Sequence, residues 1–313
     1  MPMSPSRRLA LITSTSLALL AGCGPSSSVS GRDGSTAQGI PSPPKVKVVA
    51  STNVYGDITE RIGGAKVDVT SIISDPDQDP HSFEANTQNQ LALSKANVVI
   101  ENGGGYDDFI DRMLKSSSNS SAELINAVKV SGKTAPKGAE LNEHVWYDFP
   151  TVSKVADRIA VALSKADPAD TASFTTNAET FKGELAGLEA KEAVIKKAHQ
   201  GEAIGITEPV PLYLTGASGL VNKTPEEFSE AIEEGDDVSP RVFQKTLKLY
   251  SDKQVKALVY NEQTSGAQTE KVKNAAEAAG IKIVPVTETL PKGKDYLSWM
   301  TANVDALATA LDK

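Results

Sequence analysis

From residue 45 onward, short apolar runs alternate with amphipathic stretches. Residues 45–50 read as a buried strand, and residues 54–62 as a helix stopped by Gly63-Gly64. Residues 67–73 give a second strand, 89–95 a helix, 97–100 a strand and 106–114 a helix. Residues 123–130 contain another short strand, and a polar loop follows over 131–140. This β-α order predicts an α/β lobe with a parallel sheet flanked by helices. Residues 151–166 are helical in pattern, and Asp167-Pro168 supplies an N-cap and a first-turn proline for the next helix. That helix is predicted over 168–198, because Phe174, Phe181, Leu185, Leu188 and Ile195 recur at steps of three, four and seven. A helix of that length spans about 45 Å. One small lobe does not need it, so it is expected to brace two. The alternation then repeats: strands at 203–207, 256–260 and 281–286, a helix at 270–279 ended by Gly280, and a last helix at 296–311.

The chain before residue 45 has a different character. Arg7 and Arg8 precede an apolar stretch, residues 9–20, that is too short and too interrupted for a permanent span. It reads as a secretory signal ending in Leu20-Ala21-Gly22-Cys23, which resembles the bacterial lipobox. Cys23 is the only cysteine, so its use as a lipid anchor leaves no disulfide and no thiolate metal site. Residues 24–44 are rich in Ser, Gly and Pro and form a tether rather than a core. The expected organisation is a signal over 1–22, a lipidated Cys23 and tether to residue 44, a first lobe over 45–166, the connecting helix over 167–199 and a second lobe over 200–313. The expected location is extracytoplasmic, on the cell membrane through that anchor.

Charge removes one class of function. The chain carries a formal −8, and loss of Arg7 and Arg8 with the signal makes the remainder more negative. Nucleic-acid binding, which needs a basic footprint, is not expected. Gly103-Gly104-Gly105 follows a strand but lacks the lysine and spacing of a phosphate loop.

Candidate chemistry rests on three histidines, His81, His144 and His199. Two of them lie among acids and aromatics, in Asp79-Pro80-His81-Ser82-Phe83-Glu84 and in Asn142-Glu143-His144-Val145-Trp146-Tyr147-Asp148. Neutral imidazole is the commonest protein metal ligand, and with two carboxylates from the second half these two would close a divalent-metal site between lobes. His199 sits at a helix end, where a cation suits the helix dipole. Carboxylates just after strands occupy the position where open parallel sheets bind ligands. Glu208, Glu262 and Glu288 all stand there, and position alone does not separate them.

With these motifs the chain resembles the solute-binding lipoproteins of zinc and manganese ABC importers. The resemblance runs from about residue 45 to the C-terminus. It is carried by the Asp79-Pro80-His81-Ser82-Phe83-Glu84 loop, by Ala96-Asn97-Val98-Val99-Ile100-Glu101-Asn102-Gly103, and by His144-Val145-Trp146-Tyr147-Asp148. Glu143 stands where the family usually has proline. The resemblance implies two α/β lobes joined by a single long helix, with the metal in the cleft. It implies His81, His144, Glu208 and Glu288 as ligands, the last in Val286-Thr287-Glu288-Thr289-Leu290, which favours Glu288 over Glu262. Asp148 is the candidate to orient a ligating ring. The implied partners are an ABC permease and its ATPase, and the protein is expected to be a monomer.

The ligand set bears on the metal. Two neutral imidazoles and two carboxylates balance a dication, which matters in a low-dielectric cleft. Oxygen-rich sites suit Mn²⁺, and the loop over 131–140 has none of the histidines found in many zinc importers. Zn²⁺ outbinds Mn²⁺ at most nitrogen–oxygen sites, so it is the second candidate cargo. An exported metallohydrolase or a surface adhesin would use the same residues. The first lacks an HExxH motif, and the second leaves the site itself unexplained.

Overall fold

The computed structural model describes residues 44–75, 78, 80, 83, 84, 86–135, 137 and 140–312. Cys23, the signal and the tether up to residue 43 lie outside the described residues, as does His81. The first lobe holds β1 (Val46–Thr52), α1 (Asn53–Gly63), β2 (Val67–Ile73), α2 (Thr87–Ser94), β3 (Val98–Glu101), α3 (Phe109–Ser117), β4 (Glu123–Asn126), α4 (Ala127–Ser131) and α5 (Phe149–Ala166). A 29-residue helix, α6 (Thr171–His199), leads to the second. There follow β5 (Ala203–Ile206), α7 (Leu212–Ala217), β6 (Val221–Asn222), α8 (Glu226–Glu233), α9 (Pro240–Ser251), β7 (Ala257–Asn261), α10 (Ala267–Ala278), β8 (Lys282–Val286) and α11 (Tyr296–Leu311).

Each lobe is a four-stranded sheet, ordered β2-β1-β3-β4 and β6-β5-β7-β8, and every pairing is parallel. Parallel sheets must be covered on both faces. The outer face of the first sheet is covered by Phe109, Ile110 and Met113, and that of the second by Phe228, Tyr250 and Val272. The inner faces share one continuous core with α5, α6 and α11, from Val48 and Ile58 through Phe181 to Trp299.

Helix α6 is built by a stripe. Phe174, Ala178, Phe181, Leu185, Leu188, Glu192 and Ile195 are buried at alternating steps of four and three. These positions fall on one helical face. That face packs on α1 and α5 of the first lobe and on α7 and α11 of the second. The sequence placed the start of this helix at Pro168. Residues Pro168–Asp170 instead make a tight 3-10 turn, with the Asp167 carboxylate accepting from Ala169 N, before the α-helix begins at Thr171.

Residues 208–255, which the hydropathy pattern left without elements, contain α7, β6, α8 and α9. The two-residue strand β6 is too short to show a period, and α7 is only six residues long. Among the described residues no helix is long and apolar enough to cross a membrane.

Candidate metal centre

The second sheet reverses its strand order between β5 and β7. Open α/β sheets bind ligands at such a point, beyond the carboxyl ends of the strands. Glu208 follows β5 there and is 1% exposed. The last residue of β7, Asn261, is also buried. Its amide Nδ2 donates to Glu208 Oε2 at 2.6 Å and to Glu288 Oε1 at 2.8 Å, with Thr264 Oγ1 at 3.2 Å. One amide thus ties together two carboxylates from the ends of different strands. Glu208 Oε1 remains buried without a hydrogen-bond partner. Burial first, then the neighbouring charge of Glu288, pushes the Glu208 carboxyl up to about 8.

The loop carrying Glu288 is held from behind. Gln263 Oε1 accepts from Glu288 N at 2.6 Å and Thr289 N at 3.0 Å, while its Nε2 donates to Thr289 Oγ1 at 2.6 Å. Glu262, the competing candidate, points into solvent, and only its backbone N–H joins β8 by donating to Val286 O. Successive strand residues face opposite sides. The inward position at the end of β7 therefore belongs to Asn261, one residue earlier.

From the first lobe comes His144, fully buried at the start of the 3-10 turn Val145–Tyr147. Its ring lies 5.0 Å from the Trp146 ring and 5.9 Å from that of Tyr106. Asn142 Oδ1 is 2.8 Å from His144 Nδ1 and also accepts from His144 N at 3.0 Å. Because Asn142 Oδ1 is an acceptor, Nδ1 is the nitrogen that donates to it, and Nε2 points toward Glu233. The ring-orienting role expected of Asp148 therefore falls to Asn142. Asp148 turns the other way: its carboxylate caps α5 by accepting from Thr151 N and Oγ1, and it pairs with Lys133 at 3.1 Å. A cap at the first turn of an 18-residue helix is the use its sequence position favours.

Asn142 also joins the lobes, since its Nδ2 donates to Pro209 O at 3.0 Å and its backbone O accepts from Tyr213 Oη at 2.6 Å. Tyr147 Oη donates to Thr287 O at 2.7 Å beside Glu288. His144 and the loops bearing Glu208 and Glu288 are thereby fixed against one another.

A further carboxylate was not anticipated. Glu233, the last residue of α8, places Oε1 3.4 Å from His144 Nε2, with its side chain 12% exposed. Together with Glu143 these residues offer three ligand atoms within 4.8 Å of one another. Burial, and then the charges of Glu143, Glu208 and Glu288, push the Glu233 carboxyl up to about 9. Its sequence signal was faint, because Ile232-Glu233-Glu234-Gly235 reads as an ordinary acidic helix end. His199 stands apart from this cluster. It ends α6 between Glu202 and Asp312, each 3.2 Å from a ring nitrogen.

Comparison with known proteins agrees with this architecture. Over 263 residues the chain is 26% identical to a manganese-binding lipoprotein, MntA, of Bacillus subtilis, covering 79% of this chain and 81% of that one. Over 287 residues it is 25% identical to the metal ABC transporter substrate-binding lipoprotein SloC of Streptococcus mutans, covering 86% and 91%. The fold matches the periplasmic zinc-binding protein TroA of Treponema pallidum with a TM-score of 0.73 at 19% identity, over 85% of this chain and 99% of that one. It matches FpvC of Pseudomonas aeruginosa, solved with Mn²⁺, with a TM-score of 0.71 at 21% identity, over 86% and 98%. Residues 48–310 match the family described as zinc-uptake complex component A, periplasmic, and the chain belongs to that family.

Proposed function

We propose that this protein captures a divalent transition metal, Mn²⁺ in preference to Zn²⁺, between its two lobes and delivers it to an ABC importer. It acts as a binding protein rather than an enzyme. One observation carries the reading: the buried Glu208 and the half-buried Glu288 share a single amide donor, that of Asn261. Carboxylates that are desolvated and mutually repelling are costly unless a cation joins them. His144 contributes a buried ring nitrogen, and His81 belongs to the same ligand set by its family motif. The carboxylate-rich set suits a hard ion such as Mn²⁺. Four protein ligands also leave little room for the open position a hydrolytic metal requires. The likeness to the metal ABC transporter substrate-binding lipoprotein SloC supports the importer role, and that to the manganese-binding lipoprotein MntA supports the metal. Cys23 anchors the chain to the membrane, and the lobes run over 45–166 and 200–313 about the 167–199 helix.

Titration calorimetry of metal-free protein with Mn²⁺ and Zn²⁺, followed by direct competition, tests this. One tight site per chain is expected, lost in His81→Ala and in His144→Ala. Absence of stoichiometric binding of either ion would overturn the reading.

A further inference from the structure

The cleft holds a carboxylate beyond those its family motifs supply. We propose that Glu233 is a direct ligand of the captured ion, entering from the second lobe beside His144. This rests on the reading of the cleft as a metal-capture site.

Spacing is the first support. Two donor atoms each about 2.1 Å from one metal ion, at about the tetrahedral angle, lie about 3.4 Å apart. His144 Nε2 and Glu233 Oε1 are 3.4 Å apart. Helix geometry is the second. Phe228 and Ile232 bury one face of α8 in the outer core of the second lobe, and Gly235, at φ +71°, turns the chain away just beyond the helix. A left-handed residue there favours glycine and ends the helix. Glu233 is thus held at the last turn, where no partner for a carboxylate comes from the helix itself. Unused donor capacity is the third. Glu233 Oε1 and Glu208 Oε1 are both buried without a hydrogen-bond partner, and Glu208 is 1% exposed. Glu143, His144 and Glu233 bring three possible ligand atoms within 4.8 Å of one another. Buried carboxylate oxygens left unsatisfied call for a physical reason, and a bound cation supplies one.

A third carboxylate alters selectivity. With His144, Glu208 and Glu288 it makes a donor set rich in hard oxygen. Such a set favours Mn²⁺, whereas Zn²⁺ is content with four donors. Glu233 is in this sense a specificity determinant.

The test compares wild type with Glu233→Gln, which keeps the size and removes the charge. Mn²⁺ affinity should fall by about 100-fold or more, beyond the roughly 10–100-fold typical of a residue acting through a ligand. Zn²⁺ affinity should fall by about 10-fold or less. The visible spectrum of Co²⁺-loaded protein should intensify as the coordination number drops, a change that a purely structural role would not produce. Equal losses for Mn²⁺ and Zn²⁺ with an unchanged Co²⁺ spectrum would overturn the proposal while leaving metal capture intact. Failure of wild type to bind Mn²⁺ or Zn²⁺ would overturn capture itself. Should the variant not fold, X-ray absorption of Mn²⁺-loaded wild type decides: an ion with a carboxylate shell that remains unchanged in Glu233→Asp refutes the assignment.

Discussion

The two lobes share a strand order and differ in how they finish their strands. In the first, the end of β3 is closed by its own residues: the Asp107 carboxylate accepts from Asn102 N at 2.6 Å and Gly103 N at 2.7 Å, and Tyr55 Oη donates to the Asn102 side chain. Gly103 is required there. It sits at φ +76°, and a Cβ would lie 2.1 Å from Asn126 Nδ2. In the second lobe the equivalent strand ends carry Glu208, Asn261 and Glu288, with more acceptors than donors. The first lobe is a platform that closes this strand end with its own donors and acceptors and presents an imidazole. The second is a cradle that brings two carboxylates to one amide. The same topology thus yields two different strand ends, according to which polar residues stand at the switch point.

The largest effect should come from the imidazole that the described part of the platform brings to the cleft. His144→Ala should lower metal affinity by far more than the about 10–100-fold seen when an outer partner is removed. Calorimetric titration measures it, and near-normal affinity would mean that the cradle binds alone. Next, Glu208→His replaces a charged oxygen by a nitrogen and should move the Mn²⁺/Zn²⁺ competition ratio toward Zn²⁺ by about 10-fold or more. An unchanged ratio would place Glu208 outside the ligand set.

Substitutions on the two sides should also fail differently. Asp107→Ala strands two backbone donors in the platform, at about 1–3 kcal/mol for each buried unsatisfied group. It should lower the melting temperature of the metal-free protein. Asn261→Leu should instead cost about 10–100-fold in affinity, because it frees both cradle carboxylates. If the two variants show the same balance of stability and affinity loss, the contrast between lobes is wrong.

Acidity gives a subtler contrast. Burial first, then the neighbouring carboxylates, push the Glu208 and Glu233 carboxyls up to about 8 and about 9, well above the ordinary value of 4.5. A carboxyl raised in this way favours the fold below its unfolded value, and that support is lost as pH rises toward its folded value. Metal-free protein should therefore become less heat-stable from pH 5 to pH 9. Metal acts in the opposite sense, because protons leave the ligands as it binds. At a thousandfold excess over the dissociation constant it adds about 4 kcal/mol. At roughly 2–4 °C per kcal/mol, the melting temperature at neutral pH rises by about 8–16 °C. This rise shrinks below about pH 6, where the histidines protonate. Calorimetry at pH 5, 7.5 and 9, with and without Mn²⁺, reads both trends. The smallest effect is that of Glu262→Gln, which should leave affinity within about 2-fold, as surface changes usually do.

Much of this was legible in the chain before any coordinates. The stripe from Phe174 to Ile195 announces α6, and strands such as Val67–Ile73 stand where their apolar runs place them. Glu208, Glu262, Glu288 and His144 came forward as candidates because strand ends and scarce imidazoles are local signals, and only the family resemblance put Glu288 ahead of Glu262. What stayed hidden depends on direction or distance. Asn261 rather than Glu262 faces inward, a matter of one residue of strand phase. Asn142 rather than Asp148 holds the ring, since both flank His144 and only the turn decides. Glu233 lies 89 positions beyond His144, and no local pattern connects them.

Helix α6 has a mechanical consequence. It alone carries the backbone from one sheet to the other, as a continuous rod of about 44 Å, and its buried face belongs to a core common to both halves. A pair of extended linkers would let the halves swing freely, because extended backbone changes its dihedrals at little cost. A helix resists bending, since each residue is tied to another one turn away, and here bending would also tear apart packed side chains such as Phe181 and Leu185. The frame between the two sheets is therefore of fixed width, and the hydrogen bonds of Asn142 and Gln263 hold the turns of the cleft on it.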